Sequence, residues 1–171
     1  MATVTTIAVG SSANDGTGDP IRTAFQTANT NFANINANLG YALYAGSSKI
    51  GPADATTYYW GSIPDLAATS TADIRRLYIP FAGVIKKCYI YTYTNGTNSS
   101  EAVSTYIRLN NTTDTLVSSS HIFTNDSEVV SKTDLSITVA AGDYIELKTV
   151  VGTLTTNPTN VYLAAWIWIQ T

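Results

Sequence analysis

The sequence predicts a mainly β protein. Its C-terminal part is a jelly-roll-like antiparallel β-sandwich of about eight strands, preceded by an extended N-terminal arm and one α-helix with a heptad seam. Three observations carry this. From Leu77 to the end, β-branched and aromatic runs recur at short intervals. Turn signals separate them at Asn95-Gly96, Asn110-Asn111, Asn125-Asp126, Ala141-Gly142-Asp143 and Asn157-Pro158, with no helical period between. The one sustained helical period lies far upstream, between Asp19 and Leu39.

Taken in order, residues 3–9 (Thr-Val-Thr-Thr-Ile-Ala-Val) alternate roughly and suit a short strand or arm. Alone, such an arm is ordered only by adding to a neighbouring surface. Residues 10–19 are turn-rich. They lack the Lys-Ser/Thr ending of a phosphate loop, the third glycine of a dinucleotide fingerprint and the spaced ligands of a calcium loop. Asn14-Asp15-Gly16 and Gly18 then read as turn chemistry, and Asp19-Pro20 as a helix start with Asp19 as the capping carboxylate.

In the helix, Ile21, Phe25, Ala28, Phe32, Ile35 and Leu39 are spaced 4, 3, 4, 3, 4. This is a heptad seam, with Phe25, Phe32 and Leu39 at a positions. A helix this short is marginal alone and needs partners to cover its seam. Its flanks carry Asn29, Asn31, Asn34, Asn36 and Asn38 where a free coiled coil has Glu and Lys. The flank and Arg22 are therefore expected to contact other chains, or the base of the β-domain, as well as helix mates.

The segment Asn14-Asp-Gly-Thr-Gly-Asp19-Pro-Ile-Arg-Thr-Ala-Phe25, running into Asn29-Thr-Asn31-Phe32, resembles an N-terminal module of tailed-bacteriophage structural proteins, among them fibres, neck and baseplate components. The resemblance covers about residues 5–40. It implies a virion component, made in the host bacterial cytoplasm, whose anchor comprises Asn14, Asp15, Gly16, Gly18, Asp19 and Arg22. Threefold symmetry is common among such fibres. Where the family usually has an acidic residue after Asn-Phe, this chain has Ala33-Asn34.

Residues 41–76 read as a linker with a short strand near 56–61; Tyr41, Leu43 and Tyr44 are expected to extend the helix by a turn. Tyr58-Tyr59-Trp60 is expected to pack onto the β-domain, which occupies 77–171. Strands are predicted at 77–81, 84–94, 102–110, 114–123, 127–139, 143–151 and 160–170. In 84–94, Val84, Cys88 and Ile90 share a face, with Tyr89, Tyr91 and Tyr93 opposite. In 102–110, Val103, Thr105, Ile107 and Leu109 face the core and Ser104, Tyr106 and Arg108 point out. In 143–151, Ile145 and Leu147 face the core, with Tyr144, Glu146 and Lys148 on a wet face, as in an outer strand. In 160–170 both faces are apolar: Val161, Leu163, Ala165, Ile167 and Ile169 on one, Tyr162, Ala164, Trp166 and Trp168 on the other. One face meets the core; the other must meet another subunit or the Tyr58–Trp60 segment, and Tyr162, Trp166 and Trp168 are expected at a subunit interface.

Hydrophobic residues make up 44% and charged residues 12%, about half the usual charged share, with a net charge of −3. That balance speaks against a nucleic-acid partner, which needs a basic patch. Lys86-Lys87 and Arg75-Arg76 read as solvated. No apolar run reaches the length of a membrane span, so no membrane insertion is expected. Met1-Ala2-Thr3 opens no signal-peptide pattern. The single cysteine, Cys88, reads as a small buried hydrophobe. His121, the single histidine, reads as structural, and no Cys/His cluster or Gly-x-Ser-x-Gly elbow is present. Neither catalytic residues nor a metal or cofactor are expected.

The resulting expectation is a non-enzymatic structural component of a tailed-phage virion. It would be a trimeric fibre or decoration protein that contacts other virion proteins through its arm and helix, with the β-domain projecting. The alternative is a receptor-binding tail fibre whose β-domain recognises host surface glycan, with Tyr89, Tyr91, Tyr93 and Tyr106 stacking on sugars.

Overall fold

The computed structural model of the chain describes residues 4–11, 15–61, 67–72, 74–124 and 127–171. One compact unit ends at Gly40 and a second begins at Tyr41.

The first unit contains the arm and α1 (Ile21–Asn36). The helix stops before Leu39, which is therefore a seam residue beyond the helix. Asp19 does not cap it: Pro20 occupies the N-cap, with no side-chain cap bond. The Asp19 carboxylate instead accepts a bond from the Ala8 N–H (3.0 Å), and the Asp19 N–H donates to the Ala8 carbonyl (2.9 Å). The pair of bonds ties the arm to the helix entrance.

The second unit is built from β1 (Gly40–Ile50), β2 (Thr57–Trp60), β3 (Leu77–Tyr78), β4 (Gly83–Thr94), β5 (Ala102–Leu109), β6 (Thr113–Ile122), β7 (Ser127–Lys132), β8 (Ile137–Val139), β9 (Tyr144–Val150) and β10 (Val161–Gln170). One sheet runs β1-β10-β4-β7, with β8 also on β4; the other runs β2-β9-β5-β6, with β3 also on β9. The pieces β2 and β3 share one strand position against β9, and β7 and β8 share one against β4. Counted by position, the order is first-eighth-third-sixth and second-seventh-fourth-fifth. That is the jelly-roll order, and it meets the sequence expectation.

Several expectations are corrected. Tyr41, Leu43 and Tyr44 do not extend the helix; they lie in β1, so much of the expected linker is sheet. Residues 127–139 form two strands rather than one. Between them the chain leaves the ladder, and the Leu135 N–H donates to the Lys86 carbonyl (3.1 Å). In β4 the buried positions change phase between Ile85 and Cys88, where its partner changes from β8 to β7. Ile85, not Val84, is the core residue there. The β5–β6 connection at Asn110-Asn111 has φ of 48° and 56°, the left-handed pair of a type I′ turn. The turn expected at Asn125-Asp126 lies outside the described residues.

The core lies between the sheets. Ile85, Cys88, Ile90, Leu163, Ala165, Ile167 and Ile169 come from one sheet; Trp60, Val103, Ile107, Ile145 and Leu147 come from the other. Trp60 is fully buried, and its indole N–H donates to the Thr149 hydroxyl (3.1 Å), which lies 3.3 Å from that of Thr105. The expected outer position of residues 143–151 is also corrected. The strand β9 is central in its sheet, and Glu146 is 0% exposed. Thr69 pairs with Tyr59 beside β2, and the Arg75 N–H donates to Glu146 Oε1 (3.0 Å).

His121 is fully buried at the end of β6. Its Nε2 meets the Thr92 hydroxyl, while Nδ1 has no hydrogen-bond partner among the described residues. Burial pushes the imidazole down to about 4, outweighing the Glu128 carboxylate 3.9 Å from Nε2. The unfolded chain therefore binds a proton more readily than the folded one between about pH 6.5 and 4. Stability falls as pH is lowered through that window, by on the order of 3 kcal/mol, and the His121 contribution is flat below it. Glu101 has a separate window. Thr155 and Ser99 hydrogen bonds hold its carboxyl down at about 2, so its contribution is lost from about pH 4.5 downward. Denaturant unfolding from pH 7 to 4 should show the first loss in the native protein and not in His121→Phe. An unchanged profile in the variant would show that other groups carry it.

Candidate functional site

Each unit carries an apolar surface that it leaves open. In the first unit, no residue of α1 is buried. Ile21, Phe25 and Phe32 are 77%, 67% and 71% exposed. Ile35 and Leu39 are also exposed, and Ala28 is half-buried. Arg22 is exposed.

The turn before the helix is held by its own carboxylates. Asp15 accepts from the Ser11 N–H (2.6 Å), the Ser11 hydroxyl (2.7 Å) and the Thr17 N–H (2.9 Å). Gly10 and Gly16 take φ of 79° and 71°, which the tight turn requires and L side chains rarely adopt. Gly18 packs closely on the arm: a Cβ there would lie 3.2 Å from the Ala8 carbonyl oxygen. Asn14 lies outside the described residues. The arm runs back along the helix, where the Asn31 amide accepts from the Thr5 N–H and donates to the Thr5 carbonyl, both at 2.8 Å. One member of the Asn-rich flank thus holds this chain's own arm, a use the sequence reading missed. The arm sits beside the seam without covering it, and Val4 and Val9 remain exposed.

In the second unit, the outer face of the β1-β10-β4-β7 sheet is aromatic. Alternation turns Tyr162, Ala164, Trp166 and Trp168 of β10 outward, with Tyr89, Tyr91 and Tyr93 of β4, Tyr44 of β1 and Val129 of β7. Trp166 is 47% exposed, while Tyr162 and Trp168 are half-buried. One chain alone therefore covers the core side of this strand; Tyr58-Tyr59-Trp60 belongs to the other sheet and leaves the outer face open. Aromatic contacts tie the face together: Tyr44 to Trp166 at 5.8 Å and Tyr93 to Tyr162 at 6.1 Å between ring centroids. Among the described residues of its four strands, Lys49 of β1 and Lys87 of β4 are exposed charged residues.

The outer face of the other sheet has the opposite chemistry. Asp114 bridges Arg108 (2.8 Å) and Lys148, and Lys148 and Arg108 lie over the rings of Tyr106 and Tyr59. Burial alone would raise the Asp114 pKa and lower that of Arg108; Lys148 and Arg108 together reverse the first shift, and Asp114 reverses the second. Arg76 stacks over Tyr144 at 4.3 Å, and Arg75 donates twice to the Ala67 carbonyl, so this pair is engaged rather than simply solvated. Tyr106 belongs here. It does not join Tyr89, Tyr91 and Tyr93 in one ligand surface.

A polar cleft of about 420 Å3 lies between Asn98–Glu101, Thr124 and Thr155-Thr156. Its one carboxylate, Glu101, uses both oxygens to hold the flanking loops together. Among the described residues no group of three or more His, Cys, Asp or Glu is placed to hold a metal ion, and no helix is long and apolar enough to cross a membrane.

The sequence matches no protein-family model and no curated protein. Among solved structures it is similar to the globular domain of zebrafish complement 1qA protein. That match covers 77% of this chain and 96% of that one, at 12% identity and a TM-score of 0.42. The jelly-roll assignment stands on the strand order itself.

Proposed function

We propose that this chain is a non-enzymatic structural component of a tailed-phage virion. It works as a homo-oligomeric fibre or decoration protein whose arm and helix join it to its copies and to other virion proteins. The observation that carries the reading is the open seam: large apolar residues at heptad spacing on a helix with no buried residue. Exposed Phe25 and Phe32 are costly in water, and heptad spacing suits them to copies of the same helix. Bulky phenylalanines at a positions favour the wider core of a trimer over that of a dimer. The virion assignment draws on the Asn14–Asp19 string, whose described carboxylates Asp15 and Asp19 shape the turn and hold the arm.

Deleting residues 1–40 is expected to abolish incorporation into virions while the β-domain keeps a cooperative thermal transition. Normal incorporation of the deletion would overturn the anchor role. The second reading, glycan recognition at the host surface, draws on the exposure of Tyr89 and Tyr93. It predicts binding of the full chain to host cells, reduced by Tyr89→Ala.

A further inference from the structure

We propose that the outer face of the β1-β10-β4-β7 sheet is a second contact between copies of this chain, centred on Trp166. The inference rests on the seam reading above and deepens it by naming the surface through which the β-domains meet. Three observations support it. First, Tyr44, Trp166, Tyr89, Tyr93 and Val129 leave open roughly 500 Å2 of largely apolar side chain, toward the upper end of what a monomer exposes. Second, the two outer sheet faces differ. One carries paired ions and rings covered by cations; the other is aromatic, with Lys49 and Lys87 the exposed charged residues of its described strands and no carboxylate exposed beside them. A mainly aromatic face without ion pairs lacks the complementarity to select a charged partner, but its rings match those of its own copy. Third, only residues 37–39 separate α1 from β1, the strand that carries Tyr44. Helices joined at the seam tether the β-domains on a very short connection. Even a weakly self-attractive face then acts at an effective concentration in the millimolar range.

The native chain suits a crosslinking test, because its single cysteine is silent. Cys88 is fully buried, and burial pushes its thiol up to about 12. In the full-length protein, Trp166→Cys treated with a short bismaleimide is expected to give covalent dimers, while the native protein gives none. In a threefold assembly at most two chains of every three can be linked. Ala164→Cys, on the same face with Trp166 retained, is the companion variant. Dimers from it alone would support the proposal if Trp166→Cys weakens association.

If both variants sediment as native oligomers and take up maleimide without linking, the β-domain faces do not meet. This inference then fails while the seam reading stands. If the native protein sediments as single chains, both fail. Absence of linking together with quenching of native tryptophan fluorescence by a lipopolysaccharide core oligosaccharide would make the face a glycan surface and overturn the proposal.

Discussion

Replacing Phe25 and Phe32 together with glutamate is expected to release single chains at concentrations where the native protein is assembled. Both rings are exposed in the isolated chain, so neither substitution opens a cavity in it. In the assembled seam each ring contributes roughly 1.5–3 kcal/mol of burial. Glutamate removes that contribution and places like charges from neighbouring copies against one another. An unpaired buried charge costs several kcal/mol more, so two such layers exceed what a short seam supplies. Neither residue belongs to the core of the sandwich, whose thermal transition should be retained. Sedimentation velocity of the variant beside the native protein reads the first effect, and circular dichroism melting reads the second. A variant that stays assembled would move the association away from the seam.

Trp60→Ala is expected to destabilise the β-domain by about 3–5 kcal/mol, the usual range for truncating a fully buried aromatic. Typical domain stability is about 5–15 kcal/mol, so this one change threatens the fold. Trp60 ends the short strand β2, is 0% exposed and belongs to the buried cluster shared by both sheets. Trp60→Phe separates packing from hydrogen bonding. It keeps most of the volume but leaves the Thr149 hydroxyl without its indole partner. Thr105 remains 3.3 Å from that hydroxyl, so the added cost should be nearer 1 kcal/mol. Urea unfolding of the three proteins at neutral pH orders them native, Trp60→Phe, Trp60→Ala. An alanine variant as stable as the native protein would mean that Trp60 does not join the sheets.

What could be read from the sequence was what depends on local periodicity. Val103, Thr105 and Ile107, like Val161 through Ile169, alternate because a strand's side chains alternate, and they are buried as expected. The heptad seam was legible for the same reason. Features decided by distant segments were not. Glu146 reads as a wet-face residue until Arg75, 71 residues away in the chain, donates its N–H to the carboxylate. The strand β1, rich in glycine, alanine and serine, has little intrinsic β signal; pairing with β10 makes it a strand. Asp19 before Pro20 has the chemistry of a helix cap, but its carboxylate is taken by the Ala8 N–H, and the arm's position cannot be read from spacing. Tyr106 looks like a companion of Tyr89, Tyr91 and Tyr93 only until the topology sends β4 and β5 to opposite sheets. The arm's bond to Asn31 had one legible trace, the excess of asparagine on the helix flank.

The claim that the exposed seam joins copies of this chain is tested most directly by the mass of the full-length protein in solution. Sedimentation equilibrium over a wide concentration range should give three times the 18.3-kDa chain mass. It should also show dissociation when Phe25 and Phe32 are replaced by glutamate. A native protein that remains at the single-chain mass throughout would contradict the claim.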